Sequence, residues 1–78
     1  MSPYYDDERP EMRSYTKGEL ARLYSPRATR ESAIRMFNRY LHRCHGLLDE
    51  LSSLGYRADD RHFTRPQVAV IFRYLGEP

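Results

Sequence analysis

A chain of 78 residues holds one small domain at most and buries only about 60 % of its unfolded surface, which leaves little room for a large catalytic cleft. Its single cysteine, Cys44, excludes an internal disulfide framework, and no run approaches the roughly 18 apolar residues of a membrane span. The net charge of +2 is small, but its distribution along the chain is uneven.

Residues 1 to 13, MSPYYDDERPEMR, carry Asp6, Asp7, Glu8 and Glu11 against Arg9 and Arg13, and place acid where a secretory signal would place base. With two prolines and no periodicity, they are expected to form a disordered acidic tail ahead of one domain over residues 14 to 78. A soluble, cytoplasmic protein without a membrane partner is the corresponding expectation.

Thr16-Lys17-Gly18-Glu19 is a capping box: the Thr16 hydroxyl accepts from the Glu19 amide while the Glu19 carboxylate reaches back. A helix is predicted from Lys17, with Leu20, Ala21, Leu23 and Tyr24 on its apolar side and Pro26 ending it. Thr29 caps a second predicted helix, Arg30 to about Arg43, whose stripe is Ala33, Ile34, Phe37, Tyr40, Leu41 and Cys44. A break around Gly46 precedes a third stripe, Leu47, Leu48, Leu51 and Leu54, closed by Gly55 as a left-handed cap.

YRADDRHF, residues 56 to 63, has a turn-forming centre between aromatic and long side chains and predicts a short β-hairpin wing. Thr64-Arg65-Pro66-Gln67 is a second capping box, with Pro66 in the first turn, where its missing N–H costs nothing. The last helix then carries Val68, Ile71, Phe72 and Leu75 and ends at Gly76. No internal repeat stands out. The expected fold is mostly α: a compact domain of three to four helices with a helix-turn-helix at residues 17 to 43.

SYTKGELARLYSP, Thr29 with Ala33, and GYRADDRHFTRPQVAVIFRYLGEP resemble a family of short bacterial proteins, domain of unknown function 4248, over about residues 13 to 78. The pattern is carried by Glu19, Leu20, Ala21, Tyr24 and Pro26, and by Phe63, Thr64, Gln67, Val68, Leu75, Gly76, Glu77 and Pro78. Ile34 stands where the family often has tryptophan, and Arg65-Pro66 where it often has proline and then a basic residue. The resemblance implies no activity. More distantly, the order of helix, turn, helix, wing and helix is similar to excisionase-like winged helix-turn-helix proteins, which implies DNA binding in transcription control or mobile-element biology.

The residues carry that expectation independently. Between residues 14 and 43, Lys17, Arg22, Arg27, Arg30, Arg35, Arg39 and Arg43 face only Glu19 and Glu31, a net of +5. Arg35, Asn38, Arg39 and His42 recur at helical spacing opposite the apolar stripe. Arginine and asparagine present paired hydrogen-bonding groups that fit guanine and adenine edges. Arg35, Asn38 and Arg39 are therefore expected to contact bases of double-stranded DNA. Lys17, Arg22, Arg27, Arg30, His42, Arg57 and Arg61 are expected to contact phosphate.

The alternative is a protein-interaction or homodimerisation module. Val70 and Tyr74 lie off the main stripe of the last helix and would form its interface. His42, Cys44, His45 and His62 lack paired metal-ligand spacing, and Asp59-Asp60 in a turn lacks a partnered nucleophile or phosphate loop, so neither a metal or other cofactor nor an enzyme is expected.

Overall fold

The computed structural model describes residues 11–78. Four helices and one two-stranded antiparallel sheet follow in the order β1 (Tyr15–Thr16), α1 (Lys17–Tyr24), α2 (Arg30–Arg43), α3 (Leu47–Ser53), β2 (His62–Phe63) and α4 (Arg65–Leu75). The mostly helical fold and all four helix positions follow the sequence reading.

The helix starts are set locally. Thr16 accepts from the Glu19 amide at 3.0 Å while Glu19 Oε1 accepts from the Thr16 amide at 2.9 Å, so two of the donors exposed at a helix start are satisfied reciprocally. Thr64 and Gln67 repeat the arrangement at α4, and the Gln67 amide group also donates to the Leu54 carbonyl at 3.0 Å. Thr29 caps α2 through the Ser32 amide at 3.2 Å. Between α2 and α3 the chain turns through Gly46 at φ 88°, and beyond α3 through Gly55 at φ 92°, a region open to glycine because it has no Cβ.

The predicted wing is corrected. Residues 56 to 63 do not pair with one another: the Asp60 amide donates to the Arg57 carbonyl and Asp60 Oδ2 accepts from the Arg57 amide, closing a tight turn. His62–Phe63 instead pairs with Tyr15–Thr16, with Tyr15 opposite Phe63 and Thr16 opposite His62. Pairing with β1 seats Phe63 fully inside the core against Phe37, and Tyr56 still stacks on Phe63 at 5.0 Å between ring centres. The aromatic pair that suggested a hairpin meets through side chains alone.

That pairing brings together two similar stretches of chain. Tyr15-Thr16-Lys17-Gly18-Glu19-Leu20-Ala21 and Phe63-Thr64-Arg65-Pro66-Gln67-Val68-Ala69 match in character at every position but Gly18 and Pro66, and each runs from a strand aromatic through a capping threonine into a boxed helix. The two units meet antiparallel about their equivalent aromatics, Tyr15 and Phe63.

The core joins Leu20, Ala33, Phe37, Leu41, Leu47, Leu51, Phe63, Val68 and Ile71, with α1 packed most extensively on α2. Of the tail expected over residues 1 to 13, residues 1 to 10 lie outside the described residues. Glu11 to Arg13 are laid against Tyr15, whose hydroxyl donates to the Glu11 carbonyl at 2.7 Å and whose ring lies 3.9 Å beneath the Arg13 guanidinium. Among the described residues no helix is long and apolar enough to cross a membrane.

Candidate nucleic-acid interface

Helix α2 buries Ala33, Phe37 and Leu41 and turns Arg35, Arg39 and His42 to solvent. Asn38 is half-buried at the edge of that outer face. The Arg35 guanidinium donates to the Ser32 hydroxyl one turn earlier at 3.1 Å, which holds its side chain along the helix.

A cleft of about 340 Å³ opens on the Asn38 side, between the start of α1, α2 and the turn before β2; its walls include Lys17, Gly18, Arg30, Ile34, Asn38 and Arg61. On the other flank a shallower groove is lined by Tyr24, Pro26, Arg27, Met36 and Tyr40. Arg27 and the pair Arg30 and Arg61 therefore bracket the outer face of α2 from its two sides. A second cleft of about 340 Å³ continues past Asn38 to His42, Leu48, Tyr56 and Arg57.

Ion pairing divides the arginines. Arg13 lies 4.0 Å from Glu19, Arg57 lies 3.9 Å from Asp59, and Arg73 pairs with Glu50 between α4 and α3. Arg22, Arg27, Arg30, Arg35, Arg39, Arg43, Arg61 and Arg65 are exposed, and none has a carboxylate within pairing distance among the described residues. Five of these eight lie between Arg27 and Arg43, in the turn and helix that carry the outer face.

Two expected site residues are placed differently. Lys17 is only 9 % exposed, with its ammonium 5.3 Å from the Tyr56 ring centre and 5.9 Å from that of Phe63. Its hydrocarbon stem is part of the packing while its head borders the cleft, as long cationic side chains commonly arrange themselves. Val70, expected on a partner interface, is corrected: it is 7 % exposed and belongs to the core. The physical reason is that more than one face of α4 is covered within the domain. Tyr74 remains 37 % exposed, and its hydroxyl donates to Glu50 at 2.6 Å.

The fold adds Gly18 to the site. A Cβ there would stand 2.8 Å from Arg30 Nε, so the missing side chain lets the guanidinium lie directly against the first turn of α1. The only sequence signal was a glycine inside a boxed helix start, where its low helix propensity needs another reason.

No group of three or more His, Cys, Asp or Glu side chains is placed to hold a metal ion among the described residues. Cys44 is a free, half-buried thiol packed against the core.

The family model described as domain of unknown function (DUF4248) matches residues 11–78. No curated protein and no solved structure matches the chain, so the likeness to excisionase-type winged proteins is carried by none of the comparisons. The matched span contains every described helix and both strands, and the chain belongs to the DUF4248 family.

Proposed function

We propose that the protein binds duplex DNA through the outer face of α2, with α1, the Ser25–Thr29 turn and α2 acting as a helix-turn-helix, in transcriptional or mobile-element regulation. The observation that carries this reading is the concentration of exposed arginines without carboxylate partners from Arg27 to Arg43. An ordinary solvated surface intersperses opposite charges, and the surface around Arg57 and Arg73 does so here. Unpaired arginines on one helix provide the cationic field that neutralises phosphates and releases counterions.

In this arrangement Arg35, Asn38 and Arg39 face base edges in the major groove. Arg27 on one flank, with Arg30 and Arg61 on the other, meets phosphates on either side of the groove. Arg22 and His42 extend these contacts, whereas Arg57 contributes less because Asp59 competes for it. Such a helix fits the width of the groove, about 12 Å.

Amide chemical-shift mapping with a mixed-sequence duplex at low salt tests the reading. The expected footprint covers residues 27 to 43 and Arg61. A footprint confined to α4, or none, would overturn it.

A further inference from the structure

We propose that the cleft at the start of α1 is a seat for one phosphate group, held by the Gly18 amide, the Lys17 ammonium and the Arg30 guanidinium, with Arg61 on the same wall. The inference deepens the DNA-binding reading where the phosphate belongs to a duplex, and stands apart from it where the phosphate belongs to a free phosphate or small phosphoester.

Three observations converge. Of the first amides of α1, Lys17 donates to the Arg61 carbonyl at 2.7 Å and Glu19 donates to the Thr16 hydroxyl at 3.0 Å. The Gly18 amide, on a buried residue lining the cleft, has no acceptor among the described residues, as first-turn helix amides lack intrahelical partners and take one from a cap, water or a ligand. Lys17, about nine-tenths buried and on the same wall, has aromatic faces beside its ammonium but no hydrogen-bond acceptor and no carboxylate within pairing distance among the described residues.

The third observation is Arg30, whose guanidinium lies against Gly18 at the positive end of the α1 dipole. Two cations gathered at a helix N-terminus are opposed by that dipole. The carboxylate in that turn does not relieve them, because Glu19 accepts from the Thr16 amide and faces Arg13. Asp59 and Asp60 form part of the rim; Arg57 pairs with Asp59, while Asp60 accepts from the Arg57 amide and keeps its charge, one carboxylate against the three cations Lys17, Arg30 and Arg61 that line the cleft. An oxyanion between Gly18, Lys17 and Arg30 satisfies the amide and both cations together. Its several acceptor oxygens match backbone N–H, ammonium and guanidinium donors, as at other phosphate sites on helix starts.

The test is an amide-resolved titration of the full chain with inorganic phosphate, with sodium chloride at matched ionic strength as the control. The seat predicts a saturable shift of Gly18 with phosphate, absent with chloride, and lost in Lys17→Met, which keeps the buried stem, and in Arg30→Gln. No phosphate-specific shift at Gly18, or equal shifts in both variants, would overturn it. A second titration with duplex DNA separates the sources. Gly18 moving with both identifies a backbone-phosphate clamp, and moving with free phosphate while no duplex binds supports the seat but removes the DNA reading. Duplex binding that leaves Gly18 unmoved in both titrations overturns the seat and leaves DNA binding intact.

Discussion

The Tyr24 hydroxyl, at the end of α1, donates a hydrogen bond to the Gly76 carbonyl at the end of α4. The same ring stacks on Phe37 of α2 at 5.7 Å, so one tyrosine ties the first, second and last helices together. Both partners belong to the family pattern read from the sequence. Tyr24→Phe keeps the ring and is expected to cost about 1 kcal/mol, a fall of roughly 4–8 °C in melting temperature for a domain this small.

The same tyrosine predicts an alkaline effect. Burial, and secondarily the Glu77 carboxylate, raises the Tyr24 phenol above its ordinary value of 10.0. A group raised on folding contributes stability below its unfolded value and loses it as pH rises toward the folded one. Urea melts from pH 8 to 11 should therefore show a decline in stability above about pH 10 that is shallower in Tyr24→Phe. Identical declines would place the loss elsewhere.

The α1 capping box predicts an acid effect of the opposite sense. The hydrogen bond from the Thr16 amide holds the exposed Glu19 carboxyl below its ordinary value of 4.5. Its contribution is present above that value and is lost as pH falls through the folded one. Glu19→Gln, which can still accept from Thr16, should flatten the loss of stability below about pH 4.5, while Glu19→Ala should lower stability at neutral pH as well. Chemical denaturation between pH 3 and 7 distinguishes the two variants.

Gly46 opens α3 in the left-handed region, and a Cβ there would stand 3.3 Å from the Tyr74 hydroxyl. Gly46→Ala is expected to destabilise by about 1 kcal/mol or more, because the backbone strain adds to a displaced Tyr74. Ala at Gly55, which has a positive φ but open space around it, should show the backbone cost alone. A pair of thermal melts separates the two terms.

Val70 distinguishes core from interface. Val70→Glu places an unpaired carboxylate in the core and should cost about 3 kcal/mol or more, reducing the folded fraction measured by circular dichroism. A folded variant that merely changed mass in light scattering would restore Val70 to an interface.

The helix boundaries were legible because capping is local: Thr16 with Glu19 and Thr64 with Gln67 contain their own partners within four residues. The apolar stripe of α2 and the exposure of Arg35 and Arg39 were legible for the same reason, since helical spacing sorts one face from the other. The β1–β2 pairing was not, because strands of two residues carry no periodicity and their partners are far apart in sequence. Val70 and Lys17 show a different limit. Helical spacing gives a direction but does not say how many neighbouring elements cover it, and the long lysine stem is buried by aromatics from another part of the chain. The role of Gly18 depends on where Arg30 lies, which is a tertiary fact.

The most direct test of DNA binding by α2 is the salt dependence of affinity for a mixed-sequence duplex, comparing the wild type with an Arg35→Ala/Arg39→Ala variant whose fold is verified by circular dichroism. Each neutralised phosphate contributes about 0.9 to the slope of log K against log salt. A steep negative slope for the wild type, weaker binding and a shallower slope for the variant are the predicted result. Equally weak binding of both folded proteins at low salt, with the same slope, would contradict it.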